Sequence, residues 1–247
     1  MIIAASSRCF SDVPFDQACR NIIDLEYDRV DVWMDESSEH LKPSEVLADP
    51  DGFVVRCREV SRLTPVAFTL AHDVDQDVMK KLCQLARQLK ITQITVPAAQ
   101  LGTPFNSEID RLRGFVAIAN EAAVRVSIHT KTGQLTEDPH TAVELCQSVR
   151  GLGLSLDPSY YICGPHRGQS WDQVFPYVYH TLLRDTSEKE LQVQVGLGEV
   201  DYARLMQQLQ REGYRRTLSI DFDPAMMDLH IRPPELRKLR LLLETLL

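Results

Sequence analysis

Residues 201–221 read Asp-Tyr-Ala-Arg-Leu-Met-Gln-Gln-Leu-Gln-Arg-Glu-Gly-Tyr-Arg-Arg-Thr-Leu-Ser-Ile-Asp, and this stretch decides the fold. Asp201 is a helix-capping residue, and Tyr202, Leu205, Met206 and Leu209 recur at the i, i+3, i+4, i+7 spacing of one buried stripe. Gly213 supplies a left-handed stop, and Thr217–Asp221 then reads as a strand. The same unit stands at 138–157. There Asp138 caps, Pro139 fits the first helical turn, Ala142, Cys146 and Val149 form the stripe, Gly151 ends it, and Leu152–Asp157 is the strand.

Working outward, strands are expected at Ile2–Ala5, Arg29–Trp33, Val66–Leu70, Ile91–Val96, Val124–His129 and Val178–Arg184. Helical stripes separate them: Phe15/Ala18/Cys19/Ile22, Phe53/Cys57/Val60, Val78/Leu82/Leu85/Leu89 and Ile109/Leu112/Val116. A short helix at Gln169–Phe175 is stopped by Pro176, and Leu236, Leu239 and Leu243 stripe a closing helix. Eight strand–helix units in 247 residues leave about 31 residues each, the size of a βαβ unit. The expected fold is therefore a single-domain (β/α)₈ TIM barrel spanning residues 1–247. An open doubly wound dinucleotide fold would carry G-x-G-x-x-G after its first strand, and that motif is absent there.

The composition narrows the function classes. A formal net charge of -8 without a Lys/Arg-rich run argues against nucleic acid as a partner. No stretch approaches the ~18 apolar residues of a membrane span, so no membrane partner is expected either. The six cysteines form no C-x-x-C pair and fall mostly on apolar helix faces, which points to reduced thiols and a cytoplasmic protein.

In a barrel of this kind the active site lies at the C-terminal ends of the strands, here Trp33, His72, Pro97, His129, Asp157, Arg184 and Asp221. The polar residues of Arg125-Ser127-His129, Ser155-Asp157, His180-Leu182-Arg184 and Ser219-Asp221 share one parity and should face the axis. His129, Asp157, His180, Arg184 and Asp221 should then converge. Two aspartates close together at an open mouth repel unless a cation or Arg184 offsets them, so their replacement by Asn is expected to leave stability unchanged or raise it.

Gly-Leu-Gly-Glu-Val-Asp-Tyr at 196–202, followed by Gly213-Tyr214 and Leu218-Ser219-Ile220-Asp221, resembles the closing segment of the xylose isomerase-like sugar isomerase/epimerase barrels. Those typically read G-x-G-E-V-D-F, an amphipathic helix, then G-Y-x-G-x-L-S-I-E. Tyr27-Asp28-Arg29-Val30-Asp31, Leu156-Asp157-Pro158 and His180-Thr-Leu-Leu-Arg-Asp185 are similar to the family's G-F-D-x-V-E, L-D-P-G-H and H-V-H-L-K-D, in the same order.

The resemblance implies a divalent cation held by Glu, Asp, His and Glu from strands five to eight, positions that here carry His129, Asp157, Leu182 and Asp221. Leu182 removes one ligand, so the implied site reduces to His129, Asp157 and Asp221, with binding of Mn²⁺, Mg²⁺ or Zn²⁺ weakened or lost. In the epimerase branch the two glutamates move protons at the carbon beside the sugar carbonyl, which carries over to His129 and Asp221 as the catalytic pair. The family's imidazole three residues beyond the strand-six aspartate is Tyr160 here. Arg184 aligns with the strand-seven lysine and suits a substrate carboxylate or phosphate. Lys131, His180 and Trp33 complete the expected substrate contacts, Trp33 by stacking on a sugar face; each also fits a packing or hydrogen-bonding role.

The resulting expectation is a sugar isomerase or epimerase acting by proton transfer on a small polyhydroxy carbonyl compound. The alternatives are a non-catalytic carbohydrate-binding barrel and a lyase or dehydratase of a small hydroxy acid. A homo-oligomer is compatible with the sequence.

Overall fold

The computed structural model describes residues 1–59 and 62–247. Eight strands run β1 Ile2–Ser6, β2 Arg29–Met34, β3 Thr64–Leu70, β4 Gln93–Val96, β5 Arg125–His129, β6 Leu152–Leu156, β7 Val178–Leu183 and β8 Thr217–Ile220. Every strand pairs in parallel with its sequence neighbour, and β1 pairs with β8, which closes the (β/α)₈ barrel.

The capping signals act as their chemistry requires. The Asp201 carboxylate accepts from the Arg204 amide at 2.9 Å and opens the helix Tyr202–Arg211. Asp138 accepts from the Thr141 amide at 3.0 Å and opens Pro139–Ser148. Gly151 and Gly213 take φ of +94° and +70°, which only glycine adopts without strain. The apolar stripes of the helices meet the outer faces of the strands in one continuous core that includes Ile22, Phe53, Leu82, Leu112, Leu145, Leu205 and Leu239.

Two local expectations are corrected, and one helix was not expected. Two helices, Pro43–Ala48 and Pro50–Glu59, fill the segment where one stripe was expected, because Pro50 cannot continue the preceding helix and starts the next. Val60 of that expected stripe lies outside the described residues. The expected helix at Gln169–Phe175 is a 3-10 segment, Asp172–Tyr177, with Pro176 inside it. A short helix, Pro158–Cys163, follows β6 directly, capped by Asp157 itself.

Inside the barrel the inward side chains form polar layers. Ser155 bonds Thr95 at 2.6 Å and Ser127 at 2.7 Å, and all three are fully buried. Across the barrel, His180 Nε2 lies 2.8 Å from Asp31 Oδ2 and 3.1 Å from Ser219 Oγ, while Thr69 donates to Asp31 Oδ1 at 2.8 Å. Unpaired polar groups at such depth cost about 1–3 kcal/mol each, so this reciprocal pairing lets the interior be polar and stable together.

Candidate active site at the barrel mouth

One turn of side chains above those layers, the strand ends bring four charged residues together. Asp157 closes β6 and is fully buried. Its Oδ1 accepts from the Ser159 amide at 3.0 Å and from the Ser159 hydroxyl, and its Oδ2 accepts from Arg184 Nη2 at 2.6 Å. The same Nη2 lies 3.5 Å from Asp221 Oδ2, so one guanidinium nitrogen is shared by both carboxylates. Asp221 Oδ2 also accepts from Arg8 Nη1 at 3.0 Å, while Arg8 Nη2 bonds Asp223 at 2.7 Å.

These charges fix one another's protonation. Burial would raise the Asp157 carboxyl, but the Arg184 guanidinium, with help from the Ser159 hydrogen bond, holds it well below the usual carboxylate range. Asp221 is likewise held low, against burial, by Arg8 and Arg184. Both are therefore held as carboxylates near neutral pH.

His129 stands beside this cluster. Its Nε2 is buried without a hydrogen-bond partner and stands 3.6 Å from Asp157 Oδ2. The ring packs edge-on against Tyr160 with centroids 5.7 Å apart. Burial lowers the imidazole's proton affinity below its ordinary value and outweighs the pull of Asp157, so His129 is neutral near pH 7. Tyr160, the expected replacement for an imidazole, lies with its ring 5.6 Å from the Arg184 guanidinium carbon and supports that cation by its π-face.

Lys131 lines a cleft of ≈ 520 Å³ with Pro97, Arg111 and Gln134 at the ends of β3 to β5. Burial lowers the affinity of its ammonium for its proton, and the charges of Arg8 and Arg184 add to that. The lining of this cleft includes none of Arg8, His129, Asp157, Arg184 and Asp221, whose charges reach Lys131 only through space. A larger cleft of ≈ 780 Å³, lined by Asp12, Gln192, Met227 and Arg232 among others, contains none of the cluster's residues. Trp33 sits on the rim, with the Arg8 guanidinium 5.9 Å from its ring.

The structure corrects two further expectations. His180, read as a substrate contact, is 1% exposed and is engaged by Asp31 and Ser219 one layer below the mouth. The trio His129, Asp157 and Asp221 does not form a metal centre, and among the described residues no three His, Cys, Asp or Glu side chains are disposed to hold an ion. The reason is local: the carboxylate oxygens facing the mouth accept from Arg184 and Arg8, and Leu182 is fully buried with no donor to offer. These residues do not fit a divalent cation. The aspartates are not a repelling pair either, since Arg184 lies between them.

Arg8 was not anticipated. It lies two residues beyond the first strand, in Ser6-Ser7-Arg8, and a charged residue just past a strand's C-terminal end is the signal that marks it. The glycines of Gly196-Leu-Gly-Glu-Val-Asp-Tyr202 have a structural use. Their amides donate to Asp185 Oδ2 at 2.7 Å and 3.1 Å, and a Cβ on Gly198 would fall 2.1 Å from Asp185 Oδ1. The motif docks its loop on the residue after Arg184 and so holds the end of β7 in place.

A closed parallel barrel with a polar interior and a charged strand-end cluster defines the class. The sequence model described as xylose isomerase-like TIM barrel matches residues 60–242, and the chain belongs to that family. No curated protein sequence matches it. Among solved structures it is similar to a xylose isomerase-like TIM barrel protein from Mycobacterium smegmatis in complex with magnesium (17% identity, covering 100% of this chain and 98% of that one, TM-score 0.78). It is also similar to the probable 3-DHS dehydratase AsbF from Bacillus anthracis (14% identity, 97% and 99% covered, TM-score 0.76) and to an L-ribulose 3-epimerase (15%, 100% and 96%, TM-score 0.75). At these identities the likeness is one of fold.

Proposed function

We propose that this barrel isomerises a small polyhydroxy carbonyl compound by moving a proton between the carbonyl carbon and its neighbour. The observation that carries the reading is His129: a neutral imidazole whose Nε2 has no hydrogen-bond partner, beside a cluster of fixed cations. An imidazole that is neutral at pH 7 is free to take a proton from the carbon beside a carbonyl. The negative charge that develops on the substrate oxygen is stabilised by Lys131 and by Arg184, whose Nε and Nη1 are buried and unpartnered. A single base suffices to carry a proton between adjacent carbons on one face of the intermediate. Inversion at one carbon needs a second group on the opposite face, and Asp221 is too well neutralised for that. Isomerisation is therefore preferred to epimerisation. The family assignment supports a sugar-like substrate, and the cleft that meets Lys131 is its entry.

The test is incubation with a panel of free and phosphorylated aldoses and ketoses in deuterium oxide. Proton NMR should show loss of the signal on the carbon beside the carbonyl for one substrate class, and His129→Gln should abolish the loss. The low exposure of Asp157, Arg184 and Asp221 favours a second reading, a barrel that binds a carbohydrate-like ligand without turning it over. Calorimetric binding of a panel member with no deuterium uptake would select that reading.

A further inference from the structure

We propose that Arg184 and Arg8 are a built-in substitute for a divalent metal ion, so that this barrel binds and works without one. The inference concerns the same cluster as the proposed reaction, but it rests on ion-pair geometry alone and holds whether or not the protein turns over a substrate. Arg184 Nη2 stands between the strand-six and strand-eight carboxylates, 2.6 Å from Asp157 and 3.5 Å from Asp221. Arg8 bridges Asp221 and Asp223 at 3.0 Å and 2.7 Å. Together the two guanidinium groups bring two positive charges to the inner carboxylates, the charge of one divalent ion.

Three further features agree. Leu182, on the strand that leads to Arg184, is fully buried and has no ligand atom to offer. Tyr160 presents its ring to the Arg184 guanidinium, a partner suited to a delocalised cation. Arg184 Nε and Nη1 lack partners, so the substitute cation keeps donors free for an oxygen of a ligand. A metal ion entering between Asp157 and Asp221 would strand the fully buried Arg184 guanidinium without counter-charge, and a buried charge in that state is strongly disfavoured. Arginine holds its proton across the whole accessible pH range, so the substitution is permanent and does not depend on metal supply.

The test uses the untagged full-length protein, dialysed against EDTA and titrated calorimetrically with Mn²⁺, with thermal melts run in parallel. The wild type should give no saturable heat, and its melting temperature should be the same with EDTA or with Mn²⁺. The double variant Leu182→His, Arg184→Met frees Asp157, leaves Asp221 with Arg8 as its one cation, and adds an imidazole. It should bind one Mn²⁺ at least about 100-fold more tightly than wild type, a change at the upper end of what a metal's surroundings produce, and melt higher with Mn²⁺ than with EDTA. Stoichiometric Mn²⁺ binding by the wild type, lost in Asp157→Asn, would overturn the proposal, as would a folded double variant that binds no Mn²⁺. Should the double variant not fold, the wild-type titration and Arg184→Lys decide: the lysine keeps the charge and should bind no Mn²⁺, and binding by either protein overturns it. No arm reads turnover, so failure here leaves the deuterium-exchange result standing, and the converse holds.

Discussion

Two polar clusters lie one above the other along the barrel axis, and they differ in how completely their atoms are paired. In the lower one, Asp31, Thr69, His180, Ser219, Thr95, Ser127 and Ser155 exchange hydrogen bonds, and only Gln93 Oε1 beside them lacks a partner. In the upper one, Asp157, Arg184, Asp221, Arg8 and His129 are linked by charge, yet four buried atoms have no partner: His129 Nε2, Arg184 Nε and Nη1, and Asp221 Oδ1. A folded chain leaves few buried polar atoms unpaired, and those it does leave ask for an explanation. The lower cluster is scaffold. The upper one keeps bonding capacity in reserve, which is what a ligand site requires.

The largest expected effect comes from breaking the charge balance of the upper cluster. Asp157→Asn leaves Arg184 buried with its principal counter-charge gone, and should destabilise the fold by about 3–5 kcal/mol in urea unfolding. A variant as stable as wild type would restore the picture of two repelling carboxylates and sink the ion-pair account. Next in size is the lower cluster. His180→Leu removes the donor to Asp31 and should cost about 1–3 kcal/mol, while deuterium exchange at a temperature where the variant is folded stays at the wild-type level. Exchange lost in a fully folded His180→Leu protein would return His180 to the site.

A smaller effect follows from the His129 imidazole, whose proton affinity is lowered on folding by burial. The unfolded chain then binds the extra proton more readily. Stability from this residue is therefore complete above its unfolded value near pH 6.5 and declines as the pH falls below it. Melting temperatures of wild type and His129→Gln should converge between pH 7 and pH 5, with the variant showing the flatter profile. Parallel profiles would mean that His129 titrates as it does in water. The smallest effect is expected at the rim, where Asp223→Asn removes a partly exposed ion pair with Arg8 and should change stability by less than about 1 kcal/mol. A loss several times larger would make Asp223 part of the buried cluster.

Much of the fold was legible because its signals are local. Asp201 and Asp138 cap the helices they precede, and Gly151 and Gly213 take the left-handed conformation their positions require. The alternation of Ser127, Ser155 and Ser219 along their strands marks the inward face, since a strand's side chains change sides at every residue. His129, Asp157, Arg184 and Asp221 were brought together by the same rule. His180 obeys it too but lies a pleat lower, and the distance along a strand decides whether an inward residue meets ligand or meets Asp31.

What the sequence determined by itself is therefore the barrel, its family likeness and the residues that point inward, all of which follow from periodicity, capping chemistry and short motifs read within one segment. Partner choice among the charged residues was decided only by the tertiary structure. Arg8 and Asp221 are 213 positions apart and meet because closure of the sheet sets β1 beside β8. Arg184 turns to Asp157 rather than to its neighbour Asp185, because Asp185 is taken by the Gly196 and Gly198 amides. Which cation neutralises which carboxylate is a question of distances across the barrel, and no pattern along the chain encodes it.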